Sequence, residues 1–162
     1  MPSRRFVNWL GFAACLVALC IALYTQYVLG MQPCHLCIFQ RVTVAAMAVA
    51  FLLAALHSSG RWRGAVYAML IGITGLATLA TAGRHVWIQM QPPGSVPACG
   101  ADLDFMLDVF PLTEVILKVF QAGAECAKVD FTLLGLSMPA WVFVFALLVS
   151  AAGIWINSRA GA

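Results

Sequence analysis

Charged side chains are scarce in this sequence. Nine lysines and arginines and six aspartates and glutamates make up 9% of 162 residues, against 63% hydrophobic, whereas a soluble domain is about a quarter charged and about half apolar. That balance excludes a water-soluble globular protein. Acidic residues are missing from everything before Asp102, and all six fall between Asp102 and Asp130. No charge interrupts Phe6 to Gln40, Val42 to Gly60, Gly64 to Gly83 or Phe131 to Ser158, and each window can hold a membrane span of about 20 residues. No repeat of about 20 to 50 residues is present, which excludes a solenoid.

What is there reads as an all-α membrane protein, a four-helix transmembrane bundle in a single membrane domain. The expected spans are Leu10 to Val28, Ile38 to Leu56, Ala65 to Ala82 and Met138 to Ile156. The first has the basic start of a signal peptide (Arg4, Arg5), but its apolar run is too long for a signal core and more spans follow, so it reads as a retained anchor. Four alternating spans put the tail 1–9, the loop 57–64 and the tail 157–162 on one side, together with Arg4, Arg5, Arg61, Arg63 and Arg159. By the positive-inside rule that side is cytoplasmic. The short loop 29–37 and the long loop 83–137 then lie outside, with all the acidic residues. The net charge of +3 is thus a topology signal and not a nucleic-acid-binding patch.

A structureless loop as long as 83–137 is uncommon unless it functions. It opens with the turn-rich "QMQPPGSVPACGAD", which sets Cys99 on a segment of extended and turn conformations. Further on, Leu112, Val115, Ile116, Val119 and Phe120 recur at helical spacing between Glu114, Lys118 and Gln121. This predicts a short amphipathic helix lying in the outer interface of the lipid bilayer.

Of six cysteines, Cys15 and Cys20 sit five residues apart inside the first span, on well-separated helix faces at about 100° per residue. They read as ordinary small apolar residues. Cys34, Cys37, Cys99 and Cys126 remain, all on the outer side, and four cysteines allow three pairings. Outside a bacterial inner membrane disulfides persist, so structural staples are one reading, and for Cys99 and Cys126 it stays open. For Cys34 and Cys37, in "MQPCHLCIFQR", a staple explains little, because so small a ring hardly constrains the unfolded chain. Such a pair more often marks redox chemistry. Haem attachment would need a histidine after the second cysteine, where Ile38 stands. A zinc site has four sulfurs available, but the second pair is not a closely spaced knuckle.

Arg41 follows Cys37 by four residues, one turn along the same face of a helix beginning near Pro33 or Cys34. A guanidinium there can point at the Cys37 sulfur, and together with the helix N-terminus it would favour a thiolate. Snorkelling to the headgroups is the plainer use of such a residue.

The ordered set "PCHLCIFQR", "GRHVWIQMQ", "PACGADLDF" and "AGAECAKVDFTLLGLSMPAW" in a four-span chain resembles the disulfide bond formation protein B (DsbB) family over nearly its whole length. These are quinone-dependent membrane thiol:disulfide oxidoreductases that recharge the periplasmic thiol oxidase DsbA. The resemblance implies an inner-membrane enzyme with both termini cytoplasmic, which takes electrons from a DsbA-like partner and gives them to ubiquinone, or to menaquinone under anaerobic growth. It implies further that Cys34 and Cys37 form the quinone-facing pair, that Cys99 and Cys126 form the shuttle pair facing DsbA, and that Arg41 and His85 lie at the quinone. Gln40 stands where some relatives carry an acid, and His57 falls at the opposite face. The alternatives are a non-catalytic scaffold stapled by two disulfides, and an oxidase serving a dedicated partner other than DsbA.

Overall fold

The structure, a computed structural model, describes residues 3–57, 61–92, 108–111, 113–114, 124–127 and 132–159. Four helices dominate: α1 (Arg4–Tyr27), α2 (His35–Leu56), α3 (Arg61–Gln89) and α4 (Met138–Ser158). All four are long and apolar enough to cross a membrane. Between α3 and α4 come a 3-10 turn, Ala124–Ala127, and a two-residue hairpin in which β1 (Thr132–Leu133) pairs antiparallel with β2 (Leu136–Ser137). Cys99 and most of the expected amphipathic helix at 112–120 lie outside the described residues.

The helices outrun the expected spans. α1 begins at Arg4, α2 at His35, and α3 runs from Arg61 to Gln89, about 43 Å at 1.5 Å per residue against a hydrocarbon core of about 30 Å. Hydropathy marks the lipid-buried stretch, while helical hydrogen bonding continues into the polar interface. At the ends, Arg84 lies over Trp87 at 4.4 Å and Arg159 over Trp155 at 4.5 Å. These are the cationic and aromatic groups that suit a headgroup region.

Apolar side chains cover the outside, among them Leu16, Val17, Ile21, Val49, Ile73, Leu76 and Leu148. Lipid is as apolar as leucine, so burial of oily surface cannot hold such helices together, and close packing must. Phe51 of α2 supplies it. Its ring fills the centre of a cluster with Cys15, Val44, Met47 and Ile71, wedged between Gly11 of α1 and Gly153 of α4. A methyl group at either glycine would stand 2.6 Å from the ring. Cys15 is buried in this cluster and Cys20 is exposed, on different faces as their spacing requires.

Consecutive helices pack in order, most broadly α3 on α4, while α1 and α4 touch less. What joins α1 to α4 is a reciprocal amide pair. Asn8 Nδ2 donates to Asn157 Oδ1 at 3.2 Å, and Asn157 Nδ2 donates to Asn8 Oδ1 at 2.8 Å, with both residues buried.

Gly153→Ala should overpack the Phe51 ring by about 1–3 kcal/mol. Gly72→Ala gains the same helix propensity, yet its methyl meets only Ile154 Cδ1 at 3.5 Å and Cγ1 at 3.9 Å. In thermal unfolding in detergent the Gly153 variant should melt clearly below the Gly72 variant. Equal midpoints would mean that the ring moves aside freely.

Candidate active site

At the end of the bundle away from the asparagine pair, the seam between α1 and α4 opens into a cleft of about 340 Å³. α1 closes there with Gly30 at φ 68°, a left-handed conformation that glycine adopts without steric cost, so that the Met31 N–H reaches back 3.1 Å to the Thr25 carbonyl. The chain then enters α2 through Pro33. Cys34 is the N-cap, extended at φ −70° and ψ 167°, and its carbonyl accepts the first helical bond from the Ile38 N–H at 3.2 Å. Cys37 consequently lies in the first turn, where unpaired N–H groups and the helix dipole favour negative charge. The two sulfurs are 3.2 Å apart.

His85 comes from α3. The sequence reading put it at the start of the outer loop, but α3 runs four residues further and carries its ring, 3% exposed, into the cluster. Its Nε2 is 3.7 Å from Cys34 Sγ, and its Nδ1 is 3.2 Å from Gln40 Nε2. Ligand atoms of Cys34, Cys37 and His85 all lie within 4.8 Å of one another. Gln40, also buried, is the site residue whose task the sequence did not disclose. The sequence marks it only as standing where some relatives carry an acid and, three residues after Cys37 on a helix, as sharing that residue's face.

Arg41 lines the same cleft as Cys37, yet its donors turn to α1. Nη1 donates to Gln26 Oε1, and Nη2 donates to the Ala22 carbonyl at 2.8 Å. The expected aim at the Cys37 sulfur gives way to these acceptors because a guanidinium half-buried among apolar residues needs its N–H groups satisfied. Among the described residues Arg41 is the one formal charge lining the cleft, and the remaining wall is largely apolar, with Leu19, Met138, Pro139, Trp141 and Phe145 prominent and Gln89 at the rim.

Cys126, in the 3-10 turn, is 1% exposed and packs with Leu36 and Ile88 against Cys34 and Phe39. A side-chain hydrogen bond with Cys34, and burial after it, push the Cys126 thiol well above the ordinary thiol range. It rests as a neutral thiol. Of the expected site residues the structure therefore gathers Cys34, Cys37, His85 and Cys126 at one point with Arg41 on the adjoining wall, while Cys99 lies outside the described residues. His57 is at the other end of α2, exposed and stacked on Tyr67.

The family model of disulfide bond formation protein DsbB matches residues 4–156. The chain belongs to the DsbB family. It is 45% identical over 159 residues to disulfide bond formation protein B of Nitrosococcus oceani, covering 98% of this chain and 94% of that protein. It is 42% identical to that of Methylococcus capsulatus, covering 98% of both, and 40% identical to that of Acinetobacter baumannii, covering 94% and 90%. This DsbB family member is thus a multi-pass membrane protein of disulfide bond formation.

The neutral, buried state of Cys126 has a measurable counterpart. In the reduced native protein at pH 8, alkylation of the Cys126 peptide, followed by mass spectrometry, should run at least about tenfold slower than in the same protein unfolded, because only thiolate reacts. The rate should climb as pH rises toward the raised pKa. Equal rates in the two states would show Cys126 exposed and ionised.

Proposed function

We infer that this chain reoxidises a DsbA-like periplasmic thiol oxidase and passes the electrons to membrane quinone, ubiquinone or under anaerobic growth menaquinone. The observation that supports it is the meeting of Cys126 with the Cys34–Cys37 pair at the head of a cleft that opens between two lipid-facing helices. Both termini are read as cytoplasmic in the bacterial inner membrane, from the arginines of the tails and the 57–64 loop, which puts the cysteine pairs on the periplasmic side.

The proposed relay begins when a thiolate of the reduced partner attacks Cys99 in a Cys99–Cys126 disulfide. The partner's second thiol resolves the mixed disulfide, and the loop pair is left reduced. Cys126 then loses its proton and attacks Cys34 in the Cys34–Cys37 disulfide. A Cys34–Cys126 bond forms, and Cys37 leaves as thiolate in the first turn of α2, where the helix N-terminus and the Arg41 charge support it. The Cys99 thiolate then attacks Cys126, which re-forms the Cys99–Cys126 disulfide and frees Cys34, so that both electrons rest on the inner dithiol until its reoxidation restores the Cys34–Cys37 disulfide. The cleft suits a flat, mostly apolar head group, since its wall is apolar with one cation and a few amides. A bound quinone supplies an acceptor for two electrons and two protons. Arg41, held by Gln26 and Ala22, offers a fixed positive charge where negative charge would develop.

Quinone reduction by the purified protein supplied with reduced DsbA tests the reading. Cys34→Ser or Cys37→Ser should abolish it. Cys99→Ser or Cys126→Ser should block turnover with DsbA but leave the inner pair able to react with quinone. A stapled scaffold would show no such split, and turnover surviving loss of either inner cysteine would overturn the route.

Arg41→Met keeps a long apolar side chain and removes charge and donors. It should insert normally, raise KM for quinone and lower kcat at least about tenfold, toward the range seen when one charge-stabilising donor is lost. Exchange between DsbA and the Cys99–Cys126 pair should stay unchanged. Unaltered quinone kinetics would reduce Arg41 to an anchor. His85→Ala should show a smaller defect confined to the quinone half-reaction.

A further inference from the structure

Three ligand atoms of metal-binding type converge on the cleft from two helices. Cys34 Sγ and Cys37 Sγ are 3.2 Å apart, Cys34 Sγ and His85 Nε2 are 3.7 Å apart, and all three atoms lie within 4.8 Å of one another. A tetrahedral zinc ion with Zn–S of about 2.3 Å and Zn–N of about 2.0–2.1 Å sets such atoms about 3.5–3.8 Å apart, so shifts of well under a rotamer change would close the set. We propose that Cys34, Cys37 and His85 form a redox-gated site for one thiophilic divalent cation of the zinc class, occupied only when the pair is reduced, and that occupancy halts thiol exchange.

The ligand chemistry selects the ion. Two thiolates and an imidazole suit zinc or cadmium and offer none of the carboxylate oxygens that calcium or magnesium requires. Charge selects it too. Binding converts two thiols to thiolates, releases two protons and leaves a complex of zero net charge, which adds nothing to a partly buried wall that already holds the Arg41 cation. The oxidised pair has no thiolate to give, and that is the gate.

A side chain that would orient His85 is also in place. Gln40 faces His85 Nδ1 at 3.2 Å, and a side-chain amide can turn end for end at the same distance. With its oxygen toward the ring it accepts the Nδ1–H and leaves the Nε2 lone pair directed at Cys34, the arrangement that orients most metal-bound histidines. Ordinary dithiol chelation would need neither His85 nor Gln40, and both are buried here. A metal held this way ties up the two thiols that must be reoxidised to a disulfide before Cys126 can attack Cys34 again.

The test uses the full-length protein in detergent with Cys15→Ala and Cys20→Ala, reduced, freed of reductant under anaerobic conditions and titrated with Zn²⁺ against a chromophoric chelator. One zinc per chain is expected with Cys99 and Cys126 replaced by serine. None is expected after oxidation of the inner pair or in Cys34→Ser or Cys37→Ser. His85→Ala should weaken binding at least about tenfold. X-ray absorption at the zinc edge should show two sulfurs and one imidazole nitrogen, a readout that does not depend on the His85 variant folding. Absence of binding, unchanged affinity in His85→Ala, or an edge spectrum without imidazole would each overturn the site. Quinone reduction with reduced DsbA, measured without zinc on the Cys15→Ala, Cys20→Ala protein that keeps Cys99 and Cys126, separates the two readings. Turnover without zinc binding would sink only the metal site, and zinc binding without turnover only the relay.

Discussion

The Asn8–Asn157 pair holds one end of the α1–α4 seam shut, and the site depends on the other end staying open. Both amides are buried inside the bundle, where one that loses its partner has no water to turn to, so two asparagines exchanging hydrogen bonds make a fixed junction between the first and last helices of the bundle. From that junction the two helices separate along the bundle until, at Ala18, Ala22 and Thr25 on one wall and Trp141, Val142 and Phe145 on the other, they are far enough apart to form a cleft. Phe51 sits between the two regimes. Wedged against Gly11 and Gly153, it keeps the middle of the seam full, so the opening is confined to the thiol end.

Polar side chains in the spans divide along the same line. Thr74, Thr78, Thr81 and Ser150 each donate to a carbonyl three or four residues back in their own helix, which satisfies the hydroxyl without a partner from elsewhere. Asn8, Asn157, Gln40, Arg41 and His85 instead reach across to other helices. Two of these close the seam and three surround the cysteines. An ionisable residue inside a membrane marks function by default, and here the neighbouring amides sharpen that rule. Gln26 and Gln40 are spent on holding Arg41 and His85 in place.

The four spans were legible in the sequence because charge-free windows of that length have few other uses, and the paired thiols stood out because Cys34 and Cys37 bracket only two residues. Helix ends were less legible. Hydropathy stops reporting where lipid ends, so the last turns of α3, which carry His85, looked like loop. The direction of Arg41 was also hidden, since helical periodicity gives the face of a residue but not which acceptor its side chain finds, and that acceptor lies on α1. Gln40 could not be read as a partner of His85 without the crossing of α2 and α3. The approach of Cys126 to Cys34 depends on the 124–127 turn packing against Leu36 and Ile88, which lie far from it in sequence, and no local pattern encodes that.

The contrast between Cys126 and Cys37 gives the proposed relay a direction. In thiol exchange the sulfur that better bears negative charge leaves more readily. Once Cys126 has bonded to Cys34, the reverse reaction must expel Cys126 into a buried setting against Leu36 and Ile88, which offers little to a thiolate. Cys37, by contrast, departs into the first turn of α2 beside a cleft whose one formal charge among the described residues is positive. In the proposed relay Cys126 is therefore the poorer leaving group of the two. In the proposed relay the same asymmetry would follow from packing Cys126 under apolar cover. A freely ionised Cys126 would leave as readily as it attacks, and the proposed relay would lose that asymmetry.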